Sequence, residues 1–344
     1  MDPVTQAFAG LTLSRAAFPR TTRLSTPILL ATALVPDLDM LSSIRGASAF
    51  LRFHRTLLHS LPAALALACV IGAAACVADQ YLARKKAGDP PGSAWLAFKR
   101  AFAVSVVGLG FHDFLDLSGS GGVQLFWPIH PKWYAWNLTA ELDPWILAAL
   151  AATLLLSEIF NLVSEEIGGQ ENKQRGRQRW AVAALALIAF YGISRSALHS
   201  RAVDLLQSRS YRGAIPVAAG AFPTTMSPFE WRGVVATDNA LVEIDVPLGP
   251  AGKFDSEHGT THYKPDPAPA LDAARNSDAA KRFLSYARFP LAIFHQGPDG
   301  ADLELRDLRF PAGLATKENM VAVVELDARR NIVRQEIRFA NANK

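Results

Sequence analysis

His54-Arg55-Thr56-Leu57-Leu58-His59-Ser60 stands immediately before Leu61–Ala78, a run without a charged residue. Two imidazoles and a guanidinium at the mouth of a membrane-length apolar segment are costly unless they are used. Two other polar patches interrupt or end apolar runs nearby: Pro36-Asp37-Leu38-Asp39 and His112-Asp113-Phe114-Leu115-Asp116. We expect the three patches to meet in space and hold a divalent metal, with Asp37, Asp39, His54, His59, His112 and Asp116 as ligands.

The chain has 344 residues, 50% hydrophobic and 19% charged. That average hides a split, because all the long apolar runs lie before about Leu198. The expected fold is an α-helical membrane domain over residues 1–198, with about five to six apolar helices and an N-terminal helical hairpin. A small α+β domain with an antiparallel sheet follows over 199–344. Net charge is +4. The cations gather in short segments between apolar runs, which suits membrane topology and excludes nucleic acid from the expected partners. Cys69 and Cys76 are seven apart, about 10.5 Å along a helix, too far for a disulfide, and read as packing residues. No basic segment followed by a short apolar stretch and a small-residue cleavage site is present, so no cleaved signal peptide is expected.

Residues 3–18 are apolar except for Arg15, Pro19-Arg20-Thr21-Thr22-Arg23 is a basic turn, and Leu24–Leu41 is apolar except for Asp37 and Asp39. This pattern predicts a hairpin of helices whose second arm breaks at Pro36; the alternative is an amphipathic pair lying on the membrane surface. Gln6 and Asp37 each lie about 15 residues from the turn, which sets both about 22 Å from it. Leu61–Ala78 is the clearest span, with Ser60 as N-cap and Pro62 in the first turn. Ala101–Leu117, Pro144–Val163 and Trp180–Leu198 are further spans. The segments 19–23, 79–100 and 164–179 are rich in Lys and Arg, whereas 42–53 and 118–143 are poorer. Basic and poor segments alternate, so the basic ones are assigned to the cytoplasm and the three polar patches to the opposite face.

From His199 the pattern is that of a soluble unit. Residues 199–231 read as a linker and 249–267 as a loop. Arg232–Thr237, Ala240–Val246, Phe289–His295, Leu303–Phe310, Met320–Leu326 and Ile332–Phe339 read as strands, and Pro269–Arg288 as one amphipathic helix.

His112 and Asp116 are i and i+4, about 40° apart on a helix, so both face one way. Such a pair presents nitrogen and oxygen to one cation, or forms a hydrogen-bonded couple. His54 and His59 are about 140° apart on a helix and converge only if His54 lies in a loop and His59 at a helix start. Asp37 and Asp39 share a side only in extended structure. Arg55 would neutralise an anionic group such as phosphate, or pair with an Asp. Gln6 and Asp113 are placed around the ligands rather than among them. His130 faces the same side and is a further candidate; His199 lies just past the last span, and His258 and His262 read as solvated. Trp127, Trp133, Tyr134 and Trp136 read as an interfacial aromatic belt.

Met1–Gly10, Pro36–Asp39, His54–Ser60, His112–Asp116 and Leu125–Trp136 together resemble the YdjM-type family of bacterial inner-membrane, metal-dependent hydrolases, also described as LexA-binding. The family pattern runs M-x-x-x-T-H-A-x-x-G, P-D-x-D, H-R-x-x-x-H-S and H-x-x-x-D, then a loop with proline and aromatic residues. Phe283–Pro290 and Asp307–Phe310 resemble the C-terminal part of longer members. One position departs: the early His of the family is Gln6 here, which implies one ligand fewer, a different metal, or none. The order of motifs is also distantly similar to zinc-dependent phospholipase C, which points to phosphoesters.

The expected function is therefore hydrolysis of a phosphoester or ester of a lipid or lipid-linked substrate at the outer face of the inner membrane. One or two divalent ions, zinc first, would be the cofactor, and Arg55 would steady the transferred group. The alternative is a non-catalytic anchor or regulatory protein with a degenerate metal site, whose 199–344 domain binds a partner protein. A transporter is disfavoured, since no internal repeat is visible.

Overall fold

Asp2 and Pro3 start the first helix. The Asp2 carboxylate accepts from the Val4 and Thr5 N–H groups, and Pro3 sits where a missing N–H costs nothing. In the computed structural model the described residues are all but 19–20, 88–92, 166–170, 251, 312–315 and 341–344. The turn expected at Pro19-Arg20 and the middles of the two long basic segments lie outside the described residues. The helical part runs α1 (Pro3–Ala17), α2 (Ser25–Leu34), a 3-10 helix (Pro36–Arg45), α3 (Ala47–Phe53), α4 (Leu61–Ala87), α5 (Ala94–Ser118), α6 (Pro144–Glu165) and α7 (Glu171–Gln207). By length and composition Ser25–Arg45, Leu61–Lys85, Ala94–Ser118 and Arg175–Gln207 can cross a membrane, while Pro144–Phe160 is a shorter apolar helix.

Several helices run further than the sequence suggests. The expected 79–100 loop is helical over 79–87 and 94–100, because Ala, Leu, Gln, Lys and Arg dominate there and the breakers are confined to Gly88–Gly92. Helix α7 likewise continues past Leu198 to Gln207.

The remainder forms two antiparallel four-stranded sheets instead of one. The first contains β1 (Ala218–Pro223), β2 (Glu230–Ala236), β3 (Ala240–Pro247) and β4 (Thr260–Tyr263), in that order. Strand β1 lies in the expected linker and β4 in the expected loop. Then come α8 (Pro269–Arg275) and α9 (Asp278–Tyr286), and the second sheet, β5 (Pro290–Gln296), β6 (Gly300–Asp307), β7 (Met320–Asp327) and β8 (Ile332–Phe339). The single helix expected over 269–288 is split because Ser277 caps α9, its Oγ accepting from Ala280 N.

The chain divides into two compact units: Met1–Leu38 with Arg55–Arg195, and Asp39–His54 with Ser196–Lys344. In the first, Leu13, Ile28, Leu29, Ala75, Ala101 and Val104 form one core, and Met1, Ala9, Leu115, Ile146 and Leu150 another. Two glycines set how closely its helices approach. A Cβ on Gly10 of α1 would lie 2.8 Å from the Leu29 carbonyl oxygen, and one on Gly108 of α5 would overlap Thr32 Oγ1. Both α1 and α5 are thereby drawn against α2. Outward-facing Leu65, Val70, Val77, Phe190 and Ile193 are exposed, as bilayer-facing positions are. Cys69, also exposed on α4, is free and does not pack in a core.

In the second unit, Ala202 and Leu206 of α7 pack with Tyr211, Trp231, Val235 and Val242. Phe222, Val234 and Leu241 of the first sheet join Phe289, Leu291 and Leu308. Helix α3 lies on β8, with Phe50 and Phe339 edge to face at 5.7 Å.

Candidate metal centre

Helix α2 ends at Leu34, so its last carbonyls have no partner within the helix. One of them, Ala33 O, lies 3.0 Å from His112 Nδ1 on α5. A carbonyl can only accept, so Nδ1 carries the proton and Nε2 of the neutral ring keeps its lone pair. Asp116, one turn on, faces the same way as His112. His59 enters from the turn before α4. Ser60 caps that helix through Ala63 N, while Gln124 N donates to Arg55 O at 2.9 Å and Leu61 N to Leu125 O at 2.8 Å. Asp37 follows Pro36 in the first turn of the 3-10 helix.

These four side chains are buried and bring one donor atom each to within 4.8 Å of one another. His59 Nε2 is 3.1 Å from His112 Nε2 and 3.1 Å from Asp116 Oδ2. His112 Nε2 is 3.4 Å from Asp116 Oδ2, and Asp37 Oδ1 is 3.8 Å from both imidazole nitrogens. A tetrahedral ion with ligands at 2.0–2.1 Å needs donors about 3.3–3.4 Å apart, so two nitrogens and two oxygens at these spacings fit one zinc-like ion.

Polar satisfaction points the same way. Among the described residues neither oxygen of Asp37 accepts a hydrogen bond, although both are buried. Asp116 is asymmetric: Oδ1 receives Gln6 Nε2 at 3.3 Å, Arg55 Nη2 at 3.4 Å and the Met1 amino group, whereas Oδ2, facing the histidines, accepts none. Lone pairs and anionic oxygens facing one another in a dry interior repel, and a shared cation removes that cost.

The other expected residues take distinct places. Gln6 is buried on α1 and also donates to His112 O at 3.3 Å. Asp113 is buried beside His112. Arg55 has φ +55, in the left-handed region. Asp39 and His54 pair with each other, Oδ1 to Nδ1 2.7 Å, in the second unit, where His54 stacks on Phe50 at 4.4 Å. The extended geometry expected for Asp37-Leu38-Asp39 is replaced by a helix of about three residues per turn, on which positions two apart point in divergent directions. His130 is exposed and outside the donor group. His199 lies tilted against Trp231 with ring centroids 5.4 Å apart, His258 pairs at the surface with Asp255, and His262 is half-buried against Glu243 at 3.1 Å rather than solvated. Sequence reasoning did not find Ala33, whose carbonyl fixes the His112 ring; its signal is the helix end before Pro36.

The YdjM inner membrane protein family matches the chain over residues 1–201. A curated relative, Uncharacterized protein YfhP of Bacillus subtilis (strain 168), is 29% identical over 126 residues, which is 36% of this chain and 34% of the relative. The chain thus spans about a third of the length of that relative. No solved structure matches the chain.

Proposed function

Because the chain belongs to the YdjM inner membrane protein family, we propose that it is a membrane-embedded, metal-dependent hydrolase of a phosphoester or ester in a lipid or lipid-linked substrate. The observation that supports this is the buried donor set of Asp37, His59, His112 and Asp116, in which both Asp37 oxygens and Asp116 Oδ2 accept no hydrogen bond among the described residues. A divalent ion held there would act as a Lewis acid and lower the pKa of water toward about 7. Ala33 O fixes the His112 tautomer, and Gln6 turns Asp116 so that one oxygen faces the donor set. Arg55 shields Asp116 in the resting site and in this reading would meet an anionic group of the substrate. The donor set fits one ion rather than two. In this reading residues 1–198 are embedded, the basic segments face the cytoplasm, and 199–344 lie outside.

The test is elemental analysis of the purified protein, followed by turnover of a chromogenic phosphodiester and of phosphatidylglycerol vesicles with and without chelator. About one zinc per chain and chelator-sensitive turnover support the reading; a metal-free, inert protein sinks it. A second reading is favoured by the completeness of the set: four protein donors close a tetrahedron, as in structural sites. Metal that is required for thermal stability, in a protein that turns over neither substrate, would establish that reading, and 199–344 would then be examined as the partner-binding part.

A further inference from the structure

A catalytic site keeps one coordination position open, yet four protein donors surround this one. If the hydrolase reading above holds, one donor must give way. The four are not held equally.

His112 is tied through Nδ1 to Ala33 O at 3.0 Å. Asp116 is held on Oδ1 by Gln6, Arg55 and the Met1 amino group. His59 is fixed between two backbone bonds to the 124–125 segment and a capped helix start. Asp37 differs on every count. Neither oxygen accepts a hydrogen bond among the described residues, although the residue is 7% exposed. Its Oδ1 stands 3.8 Å from each imidazole nitrogen, against 3.1–3.4 Å among the other three donors. It occupies a 3-10 turn, whose hydrogen-bond geometry is poorer than that of an α-helix, and the chain leaves this compact unit just after Leu38.

We propose that Asp37 is the exchangeable member of the donor set. It occupies at rest the position that an incoming oxygen ligand, water or a substrate oxygen, takes during turnover. Its carboxylate swings aside, and no covalent bond within the protein changes. His59, His112 and Asp116 form the permanent set.

The experiment uses the full chain in detergent, loaded with cobalt(II) in place of zinc and titrated with azide. The readouts are retained cobalt after gel filtration and the visible absorption of cobalt, neither of which requires turnover. Asp37→Asn should keep most of its cobalt and bind azide about tenfold more tightly than wild type, since no internal carboxylate competes. Asp37→Glu, which restores a carboxylate, should return azide binding toward the wild-type value. Asp116→Asn should lose cobalt by about tenfold or more in affinity. Asp37→Ser gives the same comparison should the Asn variant not fold. Loss of cobalt from Asp37→Asn and Asp37→Ser to the extent seen for Asp116→Asn, or equal azide affinity in Asp37→Asn and wild type, overturns the proposal while leaving the metal site standing. A wild type that binds no cobalt overturns the metal reading and this proposal together.

Discussion

Two buried aspartate sites, one in each unit, are built on opposite principles. In the second unit Asp307 accepts from the backbone N–H groups of Arg288, Phe289 and Arg309, and from Arg309 Nε at 2.7 Å. Arg309 in turn donates from Nη2 to Tyr286 O and stacks over the Tyr286 ring at 4.5 Å. Every charge there has a protein partner, so the cluster is complete and structural. In the first unit, among the described residues, Asp37 accepts no hydrogen bond and Asp116 accepts them on one oxygen only. A buried carboxylate without partners costs several kcal/mol and persists where something outside the chain supplies the partner. The contrast separates a carboxylate that the protein itself satisfies from a donor set that could hold a divalent ion.

Breaking the complete site should have the largest effect. Arg309→Met keeps side-chain bulk and removes the cation, leaving Asp307 with backbone donors alone. Removing one partner of a buried pair costs about 3–5 kcal/mol. Amide hydrogen exchange should register this as faster exchange across β5 and β6, with the helices of the first unit unchanged. Unaltered protection there would mean that the Asp307 cluster is not what holds those strands.

Removing the missing partner of the other site comes next. A metal bound at a free concentration a hundredfold above Kd stabilises the folded state by about 2.7 kcal/mol. Chelator should therefore lower the melting temperature of the wild type, and should lower that of Asp116→Asn, which holds its metal more weakly, by less. Equal shifts in the two proteins would place the chelator-sensitive ion elsewhere.

The third prediction reverses sign with conditions. In chelator, Asp37→Asn replaces an unpartnered buried anion with a neutral amide and should raise stability by about 1 kcal/mol or more. With zinc present the same substitution removes a ligand, so the variant should gain less from the metal than the wild type does. Destabilisation under both conditions would mean that Asp37 has a protein partner, and the contrast with Asp307 would lose its basis.

How far the sequence discloses this site depends on how local each signal is. The spacing of His112 and Asp116 is a property of one helix, so their common face is legible from four intervening bonds of regular geometry. His59 is legible through Ser60 and Pro62, which fix where α4 starts. The membrane-length runs declare the helical half in the same way. Nothing local reveals that Pro36 opens a 3-10 helix, on which Asp37 and Asp39 diverge, or that His54 pairs with Asp39. The left-handed backbone of Arg55 is equally silent, since arginine carries no preference for that conformation. Strands β1 and β4 are hidden for another reason. Ala-Ala-Gly-Ala-Phe-Pro and Thr-Thr-His-Tyr are short and lack alternation; they become strands by pairing with β2 and β3, a tertiary cause.

The smallest effect tests whether donors or burial give the contrast its size. Asp327, the last residue of β7 before the turn to β8, has donors like those of Asp307 but lies at the surface. Asn331 Nδ2 donates at 2.9 Å, Asn331 N at 2.8 Å and Arg329 N at 2.8 Å. The Asn331 side chain first, then these backbone groups, hold its carboxylate below the usual value of 3.8. A carboxylate whose pKa is depressed by folding binds protons less readily folded than unfolded. Its contribution is therefore fully present above the unfolded value and is lost as pH falls through the lower, folded one. Asp327→Ala should lower the melting temperature of the C-terminal strands slightly at neutral pH, far less than Arg309→Met. The gap from wild type should close as pH drops below the usual carboxylate range. A gap that persists in acid would assign the effect to the shape of the turn rather than to the charge. A gap as large as that of Arg309→Met would show that donors alone, without burial, set the strength of such a site.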